Sequence, residues 1–192
     1  MSIAALVLAG GKATRFGGAD KAFLRLSGKP LVEHVLARLR PQAAPIAISA
    51  NGDPARFAAY GLAVLADAPA FAQCGPLAGV AAGLRWAAGQ GADDLLTMPV
   101  DTPVFPLSLA LDLSPGPSVA VYAGRQHHLA ALWPVAFLPA LEDFLRRDDK
   151  HKVRDALALC GARPVNFTSP HDPFANLNSP EDLSVFAAHP GL

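Results

Sequence analysis

Ile3–Leu8 is an unbroken apolar run that stops at Gly10 and Gly11. Its shortness and abrupt end predict a strand buried on both faces. The stretch 29–40, KPLVEHVLARLR, changes period: Leu31, Val32, Val35, Leu36 and Leu39 fall on one helical face, and Pro30 suits a first turn. PIAISAN at 45–51 and GLAVLAD at 61–67 are again short apolar runs with polar ends, and predict two more strands. Between 75 and 91, Leu77, Val80, Ala81, Leu84 and Ala88 recur at helical spacing, bracketed by Gly75 and Pro76 at one end and Gly89 and Gly91 at the other. DDLLTMPVDTP, 93–103, predicts a strand with Asp101 just past its apolar part and Pro103 blocking its continuation. SVAVYAG and HHLAALWP predict two strands joined by a glycine-containing turn. FLPALEDFLRR and VRDALALCG predict helices, and ARPVNFT a last strand. NSPEDLSVFAA, 178–188, has a helix-start signature: Ser179 as N-cap, Pro180 at the first position and Asp182 three residues on.

Strands and helices that alternate in this way predict a mostly parallel sheet with helices on both faces. No internal repeat, low-complexity tract or linker interrupts the chain, so residues 1–192 are expected to form one domain. In such sheets ligands bind at the carboxyl ends of the strands. The polar residues that close the predicted strands are Gly10-Gly11-Lys12, Asn51, Asp67 and Asp101. They are expected to meet in space.

Composition narrows the partners. Hydrophobic residues make up 52% of the chain and charged ones 17%, which excludes a disordered chain. Lys+Arg and Asp+Glu balance at 16 each, so charge alone gives no footprint for nucleic acid or a membrane surface. The first residues carry no basic n-region, and no apolar stretch is long enough to span a bilayer. Cys74 and Cys160 are too few for a disulfide framework. A soluble cytoplasmic protein is the expectation.

The stretch 6–21, LVLAGGKATRFGGADK, places glycines, Arg15 and Lys21 directly after the first strand. It is not a Walker A loop, because that frame needs glycine at Leu6 and Ser or Thr at Ala13. Nor do Gly10, Gly11, Gly17 and Gly18 supply the dinucleotide spacing G-x-G-x-x-G. The chemistry remains that of a phosphate loop. Glycines let backbone approach a ligand, successive N–H groups form an anion nest, and Arg15 and Lys21 add positive charge. The plainer reading is a glycine-rich turn with solvated basic residues.

Leu8-Ala9-Gly10-Gly11, Arg15, Gly17 and Asp20-Lys21 resemble the signature of the molybdenum cofactor guanylyltransferase family. Three further blocks agree in order: Gly75-Pro76-Leu77-Ala78-Gly79, Pro99-Val100-Asp101-Thr102-Pro103, and the stretch 176–183, NLNSPEDL. The resemblance spans nearly the whole chain. It implies a three-layer αβα, Rossmann-like nucleotidyltransferase fold with a mostly parallel central sheet. It also implies transfer of GMP from GTP to the terminal phosphate of molybdopterin or Mo-molybdopterin, releasing pyrophosphate.

The resemblance assigns catalysis to Arg15, Lys21 and Asp101, with Asp101 holding Mg²⁺. It assigns the nucleotide to Leu8, Ala9, Gly10, Gly11, Lys21, Ser49, Asn51, Asp67, Gly75, Gly79 and Asp101, and the molybdopterin side to His127, Asn176 and Asn178. One aspartate is enough for Mg²⁺, which completes its shell with water and phosphate. Asn178 is a further candidate oxygen donor. Proteins that deliver or accept the cofactor are expected as transient partners.

Three departures from the family pattern stand out: Phe16 replaces a methionine, Ser49 an asparagine, and His128 a proline after His127. On a regular strand His127 and His128 point to opposite faces. The nearest competing activity is the cytidylyltransferase, whose loop carries L-A-A-G; the second glycine here, Gly11, leaves room for the larger guanine. A nucleotide-binding module that assists cofactor insertion without catalysis is the competing reading of another class. Asp101 argues for activity.

Overall fold

The computed structural model describes residues 1–10, 12–13, 19–147 and 150–177. Gly11, Arg15 and Asn178 lie outside the described residues, as does the helix expected over 178–188.

Seven strands build the central sheet: β1 (Ile3–Leu8), β2 (Ile46–Ser49), β3 (Ala63–Leu65), β4 (Asp94–Pro99), β5 (Ser118–Tyr122), β6 (Arg125–Pro134) and β7 (Arg163–Phe167). Their order across the sheet is β7-β5-β6-β4-β1-β2-β3. β1 pairs parallel with β2 and β4, β2 with β3, and β7 with β5. β6 runs against both its neighbours, β4 and β5. The sheet is thus mostly parallel, as the pattern predicts.

The helices are α1 (Leu31–Leu39), α2 (Pro76–Gly89), α3 (Leu109–Leu113), α4 (Leu138–Arg147) and α5 (Val153–Cys160). They divide between the two faces according to the alternation of the strands. Ala5 and Val7 of β1 pack in one core with α1 and α3. Ala4, Leu6 and Leu8 point the other way, into a core with α2, α4 and α5. α1 buries Leu31, Val32, Val35, Leu36 and Leu39, the same five positions that its periodicity marks. Each contributes about 1.5–3 kcal/mol by leaving water.

α2 differs in that it is buried over most of its circumference, through Leu77, Ala78, Gly79, Val80, Ala81, Gly83, Leu84 and Ala87. Its small residues let it sit close to the sheet. A Cβ on Gly79 would meet Ser49 Oγ at 2.5 Å, and one on Gly83 would meet Leu6 Cδ2 at 2.5 Å and Leu95 Cδ2 at 2.9 Å. Gly75, just before the helix, has φ +59°, a conformation that side chains disfavour. These glycines bring the N-terminus of α2 down onto the ends of β1 and β2.

Gly83→Ala is expected to destabilise the protein by about 1–3 kcal/mol, because Leu6 and Leu95 are fully buried and have nowhere to move. Urea unfolding measures this; an unchanged midpoint means that the α2–sheet contact is looser than described.

Candidate active site

The carboxyl ends of β3, β2, β1 and β4 lie side by side. Leu8 is in register with Ser49 on one side and Pro99 on the other, and Ser49 with Leu65. Over these ends opens a cavity of about 1000 Å³. Leu8, Gly10, Lys21, Ser49, Asn51, Asp67, Gly75, Gly79, Asp101, His127 and Asn176 all line it. Residues that sequence reasoning gathered from across the chain therefore share one crevice. Ala9 is buried behind it, where its N–H donates to the Ser49 carbonyl at 2.9 Å.

At the β3 end, Asn51 and Asp67 hold each other. Asn51 Nδ2 donates to Asp67 Oδ2 at 2.7 Å, and the Asp67 N–H donates to Asn51 Oδ1 at 2.9 Å. The strand stops at Ser49, so Asn51 is free to reach sideways across to the next strand's end. Ser49 is buried beneath Gly79.

At the centre, Lys21 Nζ donates to Asp101 Oδ2 at 2.5 Å. Asp20 sets this lysine in place: it caps the 3-10 turn Lys21–Phe23 by accepting the Ala22 N–H at 3.1 Å. Asp101 sits in the turn after β4, where Pro99 ends the strand. Its other oxygen, Oδ1, is buried and has no hydrogen-bond partner among the described residues. A buried carboxylate oxygen left alone is costly and calls for a cation or donor. Among the described residues no three His, Cys, Asp or Glu side chains gather as a metal cluster.

The segment 172–177 folds back to this centre. The Leu177 N–H donates to the Asp101 carbonyl at 2.8 Å, and Thr102 Oγ1 donates to Asn176 Oδ1 at 3.0 Å.

The start of β6 walls the far end of the cavity. His127 and His128 both line it, His127 against Phe174 and His128 near Arg154 of α5. The pairing register of β6 with β5 shifts between His127 and Ala131, which breaks the alternation. Thr97 on β4 supports this irregularity. Its hydroxyl donates to the Leu129 carbonyl at 2.8 Å and accepts the Trp133 indole N–H at 3.0 Å.

His127 packs against Phe174 with ring centroids 5.0 Å apart and the ring planes tilted by 37°. Among the described residues its buried Nε2 has no hydrogen-bond partner, and Asp172 Oδ1 at 3.5 Å is too distant to serve as one. Burial pushes the imidazole's pKa below its ordinary value; Asp172 opposes this, and Arg125 and His128 reinforce it. His128 is lowered too, by burial and then by Arg154 and Arg125. Both shifts favour the neutral ring.

Sequence reasoning missed the cations on this side. Arg125, Lys150, Lys152 and Arg154 line the cavity around the histidines. The dense charges of the stretch 146–155, RRDDKHKVRD, were the available signal. Cys74 offers no nucleophile: burial, and then Asp67, raise its thiol pKa. Its Sγ lies 3.4 Å from His151 Nε2.

A glycine turn, a Lys–Asp pair and a helix N-terminus at the strand ends, beside a cationic second half, are the parts of a nucleotidyltransferase. The chain belongs to the MobA-like NTP transferase family, whose domain model matches residues 5–164. It is 48% identical over 184 residues to the molybdenum cofactor guanylyltransferase of Acidiphilium cryptum, covering 96% of this chain and 93% of the relative. The enzyme of that name from Rhodobacter capsulatus is also 48% identical, over 185 residues covering 96% and 94%. Among solved structures, the molybdopterin-guanine dinucleotide biosynthesis protein A of Archaeoglobus fulgidus superposes with a TM-score of 0.73. It is 20% identical and covers 98% of this chain and 97% of its own, a likeness of fold.

Because folding depresses the His127 pKa, the unfolded chain binds its proton more readily. The stability that this neutral ring contributes is full above its ordinary value of 6.5 and is lost as pH falls through and below it. Urea midpoints at pH 7.5 and 5.5 should therefore drop less for His127→Gln than for the wild type. Equal drops would remove His127 from the titration.

Proposed function

We propose that this chain transfers GMP from GTP to the terminal phosphate of molybdopterin, with or without its molybdenum, and releases pyrophosphate. The observation that carries the reading is the Lys21–Asp101 pair at the centre of the crevice, with Asp101 Oδ1 buried and unpartnered among the described residues. The acceptor's phosphate oxygen attacks the α-phosphorus of GTP, and the bond from that phosphorus to the bridging oxygen of the β-phosphate breaks. The nucleophile is already an anion, so no base has to remove a proton. The difficulty is bringing two anions together.

The residues divide this work. Asp67, braced by Asn51, offers a carboxylate to the N–H donors on the edge of guanine. The N-terminus of α2 at Gly75 and Pro76 faces the cavity and favours phosphate. Lys21 neutralises charge at the phosphates. Arg15, in the same loop, is assigned there by its place in the family signature. Asp101 Oδ1 is a hard oxygen donor suited to Mg²⁺, and it is the residue that would hold the ion. Bound there, Mg²⁺ would offset negative charge on the phosphates. Arg125, Lys150, Lys152 and Arg154 give the second half of the cavity the charge to accept an anionic pterin phosphate. His127 and Phe174 contribute ring atoms to the cavity wall beside it, and Asn176 a nearby polar edge.

Asp101→Ala is expected to lower transfer by about three orders of magnitude, and Lys21→Ala kcat/KM by about two. Melting curves should show both variants folded. Normal turnover with Mg²⁺ in Asp101→Ala would refute its role. The activity itself is tested by supplying molybdopterin, Mg²⁺ and either GTP or CTP, and identifying the dinucleotide by mass. A guanine product is expected; exclusive use of CTP would overturn the reading.

A further inference from the structure

Arg56 does not line the cavity, yet it touches both halves of the nucleotide site. It stands on the 3-10 segment Pro54–Tyr60, which Asp53 caps by accepting the Ala55 N–H at 2.9 Å. Its guanidinium lies over the Phe57 ring, 4.9 Å from the centroid, and Phe57 is fully buried. From that seat the Arg56 Nη2 donates to the Asn51 carbonyl at 2.8 Å, and Nε lies 3.2 Å from Asp20 Oδ2.

Those two partners belong to different ends of the crevice. Asn51 carries the double hydrogen bond to Asp67. Asp20 caps the turn that presents Lys21 to Asp101. A continuous set of contacts therefore runs from Asp67 through Asn51, Arg56 and Asp20 to Lys21. The pair is partly exposed, with Arg56 at 33% and Asp20 at 27%, so it adds little to stability. What a planar, two-ended guanidinium does well is fix a distance. A nucleoside triphosphate needs the span from base carboxylate to phosphate lysine to be set before it binds.

We propose that Arg56 is a positioning residue that aligns the base end of the nucleotide site with its phosphate end. The inference rests on the nucleotide-binding reading given above. Its signature differs from that of a contact residue. A ligand that occupies one end only gains nothing from alignment, whereas a ligand that bridges both ends does.

Calorimetric or competition binding of GTP, guanosine and inorganic tripolyphosphate reads this directly. Arg56→Ala should weaken GTP about tenfold while each half-ligand changes by less than about twofold. Arg56→Lys keeps the charge but cannot hold both partners, and should behave as Arg56→Ala does. Asp20→Asn retains the cap through Oδ1 and removes the ion pair, so it should show the same selective loss in a folded protein if Arg56→Ala does not fold.

An equal loss for guanosine would make Arg56 a mere prop of the Asn51 loop. An equal loss for tripolyphosphate, or full recovery in Arg56→Lys, would make it a simple source of charge. Unchanged GTP affinity would leave it a surface ion pair. Each of these overturns the proposal. The wild type separates this from the functional reading: if it prefers CTP, guanine transfer falls and the same comparison is read with CTP and cytidine. If it binds no nucleoside triphosphate, both fall.

Discussion

The contact between Lys21 and Asp101 joins the loop after β1 to the turn after β4, two stretches that adjoin only because their strands pair. It takes up one oxygen of a part-buried carboxylate, while the other, itself buried, has no hydrogen-bond partner among the described residues. A carboxylate with both oxygens satisfied here would be a structural turn residue. With one oxygen left over, it keeps a hard donor atom at the meeting point of the strand ends. The rest of the molecule serves this point: the parallel strands bring the turns together, and the glycines of α2 let a helix N-terminus approach them.

The two ends of the cavity solve different problems. At the β3 end, the Asp67 carboxylate accepts from the Asn51 amide, which in turn accepts the Asp67 backbone N–H. At the β6 end, two imidazoles line the cavity beside cationic side chains, on a strand whose register slips. β6 enters the sheet against the direction of β4, so its first residues project beyond the strand ends and wall the crevice there. One antiparallel strand thus adds a wall to the groove above the parallel strand ends.

Much of this was legible in the sequence, for physical reasons. Buried parallel strands must be short apolar runs, and α1 must show its period, so the layers could be read directly. The rule that ligands gather at strand ends then placed Asp67 and Asp101 together. What could not be read is what depends on a distant neighbour. The register shift between His127 and Ala131 is met by the Thr97 hydroxyl on another strand, so alternation within β6 alone could not reveal it. Lys150, Lys152 and Arg154 look the same in sequence whether they face bulk water or a cavity. Ala9 carries the family signature, but serves through its backbone in β1–β2 pairing.

The bonds from the Leu177 N–H to the Asp101 carbonyl and from the Thr102 hydroxyl to Asn176 Oδ1 carry a consequence for synthesis. The turn after β4 is synthesised well before the segment 172–177, yet the crevice gains this wall only when that segment returns to it. A nascent chain that stops short of the segment leaves the Asp101 carbonyl and the Thr102 hydroxyl without these partners. Long-range pairing of this kind slows assembly, so the centre of the crevice is completed late in folding.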